Sequence, residues 1–385
     1  MSETTAIEWT DSTWSPIRVR VKQDAAAIAR AKSYTSLVPI AERMAGRVGQ
    51  HCEHVSPGCE HCYAETNNHR CLPGNGTGLP YDRRSRELVE AFVDEKALLQ
   101  PFHWRWIRAA SSSAVRNRRI FVENQSDLFG EWVPDELLDR VFAVMALCPE
   151  HVFQLLTKRP ERMLAYVMDC ARPLGRQNAL REAIVEVGAN LPEVEVLKAK
   201  VLVSGSNGAV QQNWRPLPNV WLGVSVENQA AADERIPLLL QTPAAVRFLS
   251  CEPLLGPVDI SSHRIPWMWS AGLHWVIAGG ESGPGARPMH PDWARGLRDQ
   301  CNAAGRPFFF KQWGEWAPYN ALRDGDYTQK SFMYPDGRVL AFDEPNPDGL
   351  DFRAWQGMAR PGKKAAGGLL DGREWREFPE GRREG

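Results

Sequence analysis

Residues 220–228 read Val-Trp-Leu-Gly-Val-Ser-Val-Glu-Asn, a short apolar run that ends in polar side chains. Continuous apolar runs of this length, rich in Val, Ile and Phe, are typical of strands that are buried on both faces of a parallel sheet. Helical stretches separate such runs along the chain, which is the arrangement of βαβ units. The six runs of this kind are Arg119–Glu123, Val152–Leu156, Val220–Val226, Val246–Leu249, Trp275–Ala278 and Pro307–Phe310.

Two of the intervening helices have clear sequence signals. One begins at Pro134 and carries an apolar stripe as far as Cys148, and the other spans Asp292–Ala304 and ends before Gly305. A further strand is predicted around Ile7–Trp9. We therefore predict an α/β fold, a partial (β/α) barrel of about six to seven mainly parallel strands, with a helical insertion and a small C-terminal appendage.

The predicted barrel domain covers residues 1–316, and the appendage covers residues 317–385. Within the barrel domain, an Ala-rich helical segment at about residues 23–49 and a charged segment at about residues 170–214 have the character of insertions. In the appendage, the Pro-Asp-Gly sequence at 335–337 predicts the turn of a β-hairpin, and a Gly-rich charged tail follows.

Composition limits the class of protein. The 385 residues include 46 Lys and Arg against 47 Asp and Glu, which excludes a strongly basic nucleic-acid coat protein but allows a local basic groove. No run approaches the roughly 18 apolar residues of a membrane helix, and the N-terminal sequence lacks the pattern of a signal peptide. We therefore expect a cytoplasmic protein with no membrane association, in which the eight cysteines stay reduced.

Polar side chains follow all six predicted strands. In parallel α/β folds, loops and helix N-termini converge at the carboxyl ends of the strands, so these residues are expected at one rim. A polar rim on an apolar sheet is the first place to look for a binding site. The segments are residues 123–127 (ENQSD), 157–159 (TKR), 225–228 (SVEN), 250–252 (SCE), 279–283 (GGESG) and 311–313 (KQW).

Three cysteines, Cys52, Cys59 and Cys62, lie within eleven residues. Three thiolates of one loop suit three corners of an iron–sulfur cube, with the fourth iron open to another ligand. On spacing alone, a zinc site completed by Cys71 or by one of the nearby histidines is an equal alternative. The position of the segment at the predicted rim favours a cluster. Three other cysteines lie on apolar helical stripes and are expected to be core residues, namely Cys148, Cys170 and Cys301. The sequence does not assign a role to Cys251.

Seven longer stretches contain these motifs: residues 7–16 (IEWTDSTWSP), 55–65 (VSPGCEHCYAE), 155–160 (LLTKRP), 221–228 (WLGVSVEN), 248–254 (FLSCEPL), 279–283 (GGESG) and 310–314 (FKQWG). Together they resemble a phage-associated, uncharacterised protein family that has a three-cysteine motif and is grouped with radical S-adenosylmethionine (SAM) enzymes. The resemblance runs from about residue 5 to residue 316.

The resemblance implies a [4Fe–4S] cluster on Cys52, Cys59 and Cys62, with SAM bound at the open iron. One electron, supplied by a donor such as flavodoxin or ferredoxin, would then cleave SAM to methionine and a 5′-deoxyadenosyl radical. That radical would take a hydrogen atom from a substrate, for which the phage association suggests a nucleotide or nucleic acid. Radical SAM enzymes usually space the cysteines C-x3-C-x2-C, with an aromatic residue before the last, whereas this chain has C-x6-C-x2-C with Tyr63 after it.

The same resemblance suggests roles for rim residues. Tyr63 is a candidate for the adenine, and Lys158 is a candidate for a carboxylate or phosphate. Candidates for the methionine moiety are Asn124, Ser126 and Asp127. Candidates for the ribose hydroxyls are Ser225, Glu227 and Asn228. The catalytic candidates are Glu252 and Glu281, as general acid or base groups or as substrate ligands, and Lys311, which like Lys158 is a candidate for a carboxylate or phosphate.

Two other functions fit the sequence. The first is a zinc-stabilised, non-catalytic nucleic-acid-binding module, in which the cysteines only hold the fold. The second is a (β/α) barrel that acts on a phosphorylated metabolite through Lys158, Lys311 and the loop Gly279–Gly285. That loop lacks the spacing of a phosphate-binding fingerprint and is weak support by itself.

Overall fold

The computed structural model of the protein describes residues 5–23, 37–71, 76–104, 107–108, 115–116, 118–172, 175–189, 191, 216–261, 272–322, 329–341 and 355–379. The strands in these ranges are β1 Ser12–Trp14, β2 Ile17–Val21, β3 Val48–Gly49, β4 Val89–Val93, β5 Ile107–Arg108, β6 Val115–Arg116, β7 Arg119–Val122, β8 Val152–Thr157, β9 Val220–Ser225, β10 Val246–Cys251, β11 Trp275–Gly279, β12 Phe308–Gln312, β13 Ala317–Pro318, β14 Lys330–Met333, β15 Val339–Ala341 and β16 Gln356–Ala359. The helices are α1 Val38–Met44, α2 Tyr63–His69, α3 Glu95–Leu98, α4 Asp135–Leu147, α5 Pro160–Ala171, α6 Gln177–Ala189, α7 Gln229–Gln241, α8 Pro291–Ala303 and α9 Lys363–Ala366.

The main sheet has seven strands in the order β1-β7-β8-β9-β10-β11-β12. The strands are parallel, and helices follow β7, β8, β9 and β11, so the fold is the predicted partial (β/α) barrel. All six predicted runs form strands of this sheet, and both predicted helices are present as α4 and α8.

The prediction of a strand at Ile7–Trp9 was wrong. Residues 7–10 form a turn, in which the Thr10 N–H donates to the Ile7 carbonyl at 3.3 Å. The Thr10 hydroxyl donates to the carbonyl of Arg119 at 3.0 Å, which brings the chain alongside β7. The strand β1 therefore begins only at Ser12, opposite Ile120.

The chain folds into two compact units, each made of several separate stretches of sequence. The first contains residues 1–55, 62–222 and 241–245, and the second contains residues 56–61, 223–240 and 246–385. The strand β9 contributes residues 220–222 to the first unit and residues 223–225 to the second. The domain boundary expected at residue 316 stays a prediction.

In the first unit, Trp14 of β1 and Phe153 of β8 are fully buried with ring centroids 5.5 Å apart. The helix α4 packs against α6, which belongs to the segment interpreted as the second insertion. Residues 173–174, 190 and 192–214 of that segment lie outside the described residues. Residues 24–36 of the first insertion do as well, whereas its remainder forms α1 and β3.

In the second unit, the side chains of Phe308, Phe309 and Phe310 on β12 have no solvent exposure. A smaller sheet has the order β13-β16-β14-β15, and its β14–β15 pair is the predicted hairpin. The charged tail lies along β12, because the Phe310 N–H donates to the carbonyl of Trp375 at 2.9 Å. Across the described ranges, no helix is long and apolar enough to cross a membrane.

Candidate functional site

The eight cysteines all lie in described ranges, and none of them forms a disulfide. Burial raises the pKa of Cys170 and of Cys301 to about 12, and it also raises the pKa of Cys251, so these thiols stay protonated at neutral pH. Cys148 is equally buried. The expectation that Cys148, Cys170 and Cys301 pack in the core is met, and Cys251 belongs with them.

Of the other four cysteines, Cys59 is buried, whereas Cys52, Cys62 and Cys71 are more accessible. Cys52 and Cys62 are half-buried in the first unit, Cys52 shortly after β3 and Cys62 directly before α2. Both act on the buried phenol of Tyr81, whose pKa is raised well above its usual range by burial first and by these two thiols second. The Tyr81 hydroxyl donates to the carbonyl of Gln125 at 3.0 Å. Tyr81 therefore interacts electrostatically with the two thiols and is hydrogen-bonded to the segment that follows β7.

Side chains from the rim fix the backbone around Cys52. The Ser126 hydroxyl donates to the carbonyl of His51 at 2.6 Å, and the Arg159 guanidinium donates to the carbonyl of Glu53 at 3.1 Å. Arg86 binds the Glu53 carboxylate with two hydrogen bonds, of 2.6 Å and 2.7 Å. Burial alone would raise the pKa of Glu53, but the His51 ring, 3.6 Å away, and the hydrogen bonds from Arg86 lower it to about 2. The segment is thus held by hydrogen bonds on both sides of Cys52, with arginines on the Glu53 side.

Asp127 is the centre of this arrangement. Its carboxylate accepts the Thr157 hydroxyl at 2.7 Å, the Lys158 N–H at 3.1 Å and the Arg159 guanidinium at 2.9 Å. It also accepts the N–H of Phe129 at 3.0 Å. The carboxylate therefore ties the end of β7 to the end of β8, and Lys158 contributes to this cluster through its backbone.

The residues around Asp127 include two that the sequence analysis overlooked. Arg159 stands in the quoted stretch 155–160, yet Lys158 was singled out because of its position. The Arg159 pKa is lowered by burial and raised more strongly by Asp127, Cys52 and Glu53. Tyr81 had no local signal, since it lies in a loop far from any predicted strand end.

Asn124 and Tyr63 meet near the same end of β7. The Ser15 hydroxyl donates to the side-chain oxygen of Asn124 at 3.2 Å, and the Tyr63 hydroxyl donates to the Asn124 carbonyl. The Tyr63 side chain is 53% exposed, so one face of its ring is open to solvent. An exposed ring fixed at its hydroxyl is a suitable surface for stacking a planar group.

Glu123 was not selected from the sequence, although it begins the polar segment after β7. Its backbone has a φ of 55°, which is unusual for a residue other than glycine. One carboxylate oxygen accepts the Ile17 N–H at 2.8 Å, and the other is buried without a hydrogen-bond partner among the described residues. Burial raises its pKa to about 8, so the carboxyl group is largely protonated at neutral pH.

In the second unit, the three candidates at the end of β9 are tied to α7. The Glu227 carboxylate accepts the Arg235 guanidinium at 2.9 Å, and both side chains are almost fully buried. Arg235 also donates to the carbonyl of Ser225 at 2.9 Å. The Asn228 side-chain oxygen accepts the Ala231 N–H at 3.0 Å, as a helix-capping residue does. These contacts orient the start of α7.

Two of the catalytic candidates form an ion pair. The Lys311 ammonium at the end of β12 lies 2.6 Å from the Glu252 carboxylate at the end of β10. The strand between them ends in Gly279, where an added Cβ would lie 3.4 Å from both Glu252 and Lys311. The two side chains therefore meet over Gly279 at the end of β11. Lys311 is 12% exposed and Glu252 is 19% exposed.

The third catalytic candidate, Glu281, has a different environment. Its carboxylate is 5% exposed and accepts two hydrogen bonds from the Arg287 guanidinium, at 2.6 Å and 2.8 Å. It also accepts the Arg287 N–H at 2.8 Å. All of these donors come from one residue, so Glu281 orients Arg287.

Among the residues that the structure describes, no metal site of either predicted kind is assembled, neither the set Cys52, Cys59 and Cys62 nor a zinc site completed by Cys71 or a histidine. Within the described ranges, no three His, Cys, Asp or Glu side chains are arranged to hold a metal ion. Of the histidines considered for zinc, His54 lies 2.8 Å and His69 lies 3.6 Å from the carboxylate of Glu65. Burial lowers the pKa of His51, whose ring packs edge-on at 4.8 Å from Trp132.

Comparison with known proteins gives one match. Residues 46–379 match the family described as "protein of unknown function (DUF5131)". No curated protein and no solved structure matches the chain.

Proposed function

The chain belongs to the DUF5131 family, and we propose that it is an iron–sulfur, SAM-dependent radical enzyme. The observation that carries the proposal is that the neighbours of Cys52 and Cys62 are hydrogen-bonded to the segment after β7, since the Ser126 hydroxyl donates to the His51 carbonyl and the Tyr63 hydroxyl donates to the Asn124 carbonyl. Cys59 precedes Cys62 by three residues and completes the set of three thiols.

The donor set fits the proposed cluster in its chemistry. Cluster iron is bound by cysteine thiolates, and all three cysteines lack a disulfide. Cys52 and Cys62 are half-buried, in contrast to the buried thiols of Cys170 and Cys301, which burial keeps protonated. The Arg159 guanidinium donates to the carbonyl of Glu53, the residue after Cys52, so a cation lies close to this cysteine.

When bound, the cluster and SAM would supply one-electron cleavage of SAM to methionine and a 5′-deoxyadenosyl radical that takes a hydrogen atom from the substrate. The protein's own side chains would bind and orient the reactants. Tyr63 offers an exposed ring to the adenine, and the side-chain amide of Asn124 and the hydroxyl oxygen of Ser126 offer polar groups to the methionine moiety. The Lys311–Glu252 pair would meet the anionic part of a nucleotide or nucleic acid.

We further propose that the protein works in the cytoplasm, where cysteines stay reduced, and that a flavodoxin or ferredoxin supplies the electron. The contacts of the side chains change the proposed roles of two residues, Asp127 and Glu281. Asp127 is saturated by donors from its own unit, so its proposed role is to hold the rim. Glu281 is proposed to orient Arg287 and is taken up again below.

The test is anaerobic purification with measurement of iron and sulfide, followed by an EPR spectrum of the reduced protein with and without SAM. We expect about four irons and four sulfides per chain, a change of the spectrum on adding SAM, and release of 5′-deoxyadenosine. Cys52→Ser and Cys62→Ser should lose the cluster. Cys71→Ser is the matched control, because Cys71 is also half-buried and follows closely in sequence.

A colourless protein that holds one zinc after anaerobic reconstitution would overturn the proposal in favour of the zinc-stabilised module. Loss of that zinc in Cys71→Ser would then identify Cys71 as the fourth ligand. A cluster that forms but gives no 5′-deoxyadenosine under any reductant would retain the iron–sulfur assignment and exclude the radical reaction.

A further inference from the structure

The segment that carries Cys59 is held by one arginine of the second unit. Residues Pro57–Cys59 form a single 3-10 turn, and the Arg287 guanidinium donates to the Pro57 carbonyl at 2.9 Å. A second nitrogen of the same guanidinium donates to the Glu60 carboxylate at 2.8 Å. Arg287 therefore contacts the chain on both sides of Cys59, once through the backbone and once through a side chain.

The guanidinium is itself fixed by Glu281. Three N–H groups of Arg287 donate to the Glu281 carboxylate, at 2.6 Å, 2.8 Å and 2.8 Å. The Glu281 side chain is 5% exposed, whereas Arg287 is 30% exposed. A planar guanidinium with both edges engaged has one orientation, in contrast to the single ammonium of a lysine.

Close packing limits the movement of the turn. A Cβ added at Gly58 would lie 3.3 Å from the Glu227 carboxyl carbon, so the turn rests directly on that side chain. A Cβ added at Gly285 would lie 2.9 Å from the His61 ring, and Gly285 has a φ of +78°. Position 285 therefore needs a glycine, and a side chain at Gly58 would be tight against Glu227, so both ends of the segment pack closely against residues of the same unit.

From these contacts we propose that Arg287, oriented by Glu281, is the positioning residue for Cys59 as a cluster ligand. The inference rests on the proposed function, since it assigns Cys59 to the cluster. It gives a role to the Gly-Gly-Glu-Ser-Gly motif, whose glutamate acts through the arginine and not as a general acid or base. A ligand whose backbone is already ordered does not have to be ordered when the metal group binds, so affinity is higher.

The first experiment needs no cluster. Apoprotein is treated with an alkylating reagent, and the rate of modification of each cysteine is followed by mass spectrometry of its peptide. In Arg287→Ala we expect modification of Cys59 to be about tenfold faster, because losing charged hydrogen bonds worth about 1.4 kcal/mol changes the opening equilibrium by that factor. Cys52 and Cys62 should change by less than about twofold, since they lie in the other unit and lose no contact.

The matched control is Arg295→Ala. Arg295 is 34% exposed, belongs to the same unit and binds Asp292 and Asp371 at 2.8 Å and 2.7 Å. It has the same chemistry as Arg287 but does not touch the cysteine segment. If Arg295→Ala accelerates the modification of Cys59 as much as Arg287→Ala does, the effect is general loosening of the unit and the inference is wrong.

The second experiment measures iron, sulfide and the EPR spectrum after reconstitution. Arg287→Ala should bind less than about half of the wild-type iron, and Glu281→Gln should bind an intermediate amount. Arg287→Lys should restore part of the iron with an altered EPR line shape, because a lysine keeps the charge and cannot donate to all three partners. If Arg287→Ala does not fold, the conservative variant Arg287→Lys still tests the positioning role.

The two experiments separate the two proposals. Unchanged Cys59 reactivity and full iron in Arg287→Ala would overturn the positioning role and leave the cluster assignment intact. Faster alkylation of Cys59 in a protein that binds no iron in any variant would overturn the cluster assignment, while Arg287 would still be established as the residue that holds the Cys59 turn.

Discussion

The two compact units carry polar clusters of different kinds at the carboxyl ends of their strands. In the first unit, Asp127 accepts hydrogen bonds from Thr157, Lys158 and Arg159, and its side chain is 7% exposed. We call these four residues the Asp127 cluster. In the second unit, Glu252 and Lys311 form an ion pair in which the carboxylate keeps more solvent exposure, 19%, whereas Lys311 at 12% is as buried as Arg159 at 11%. We call these two residues the Lys311 pair.

The difference indicates which polar rim residues serve the fold and which are open to a ligand. A buried carboxylate with four donors has no capacity left for another partner, and its loss leaves a buried cation uncompensated. The Glu252 carboxylate has one hydrogen-bond donor among the described residues and is more accessible to water than Asp127, so the Lys311 pair costs less to separate than the contacts of Asp127. The Asp127 cluster should therefore contribute mainly to stability, and the Lys311 pair mainly to binding.

The largest expected effect is that of Asp127→Asn on stability. The neutral amide cannot compensate the charge of Arg159, and its NH2 group would face N–H and O–H groups that now donate to a carboxylate oxygen. We therefore expect the free energy of unfolding to fall by about 3–5 kcal/mol. The measurement is unfolding in urea followed by circular dichroism. Asp336→Asn is the control, because Asp336 also pairs with an arginine at 2.8 Å but is 54% exposed. A fall as small as that of Asp336→Asn would remove the distinction between the two clusters.

The second prediction concerns the backbone beneath the Lys311 pair. A Cβ at Gly280 would lie 1.9 Å from the Trp313 carbonyl oxygen, so β11 and β12 leave the sheet with their backbones in contact. Gly280→Ala should destabilise the protein by about 3 kcal/mol, since one backbone has to move. Gly296→Ala is the control: Gly296 lies in α8 with nothing within 4 Å of an added Cβ. That change should instead stabilise the helix by about 1 kcal/mol.

The sequence predicts the sheet well and the contacts of the rim poorly. Strands buried on both faces leave a continuous apolar run, which is why β7 to β12 were all recognised. The strand β1 has no such run in the sequence, because Ser12 and Thr13 are polar. They are buried because neighbouring parts of the fold cover them. Its position is set by Arg119 and Ile120, which lie more than a hundred residues further along the chain.

At the rim, residue type indicates polarity but not partners. Asp127 and Lys311 look equivalent in the sequence, and only distant residues separate them. Arg159, which saturates Asp127, is 32 residues away, and Arg287 reaches Pro57 across 230 residues. Glu281 stands in a conspicuous motif, yet its role depends on an arginine six residues later whose other contacts the sequence does not reveal.

A third prediction uses the pH dependence of stability to examine the buried end of β7. The pKa of Glu123 is raised by burial to about 8 from 4.5, so the folded state holds a proton that the unfolded state releases. The stability from this group is complete below pH 4.5 and is lost as the pH rises towards 8. Glu123→Gln should remove this loss and stabilise the protein by about 2 kcal/mol at pH 8.5 relative to the wild type.

Unfolding in urea between pH 5 and pH 9 measures this effect. Glu90→Gln is the control, because Glu90 is exposed on β4 and should leave the pH profile unchanged. A parallel pH profile for Glu123→Gln and the wild type would mean that Glu123 is ionised in the folded protein. The carboxyl end of β7 would then carry two charged carboxylates, Glu123 and Asp127. In that case, burial of a carboxylate would not be enough to show that it serves the fold.

The smallest expected change in stability is that of Lys311→Met, and it tests the other side of the comparison. Because the pair is partly exposed, the free energy of unfolding should change by less than about 1 kcal/mol. Binding of adenosine 5′-monophosphate, measured by calorimetry, should weaken about tenfold, since an ammonium–phosphate contact is worth about 1.4 kcal/mol. Lys364→Met is the control, because Lys364 is an exposed lysine of α9. A large loss of stability with unchanged binding would make the Lys311 pair a second structural cluster, and a ligand would then have to be sought around Tyr63.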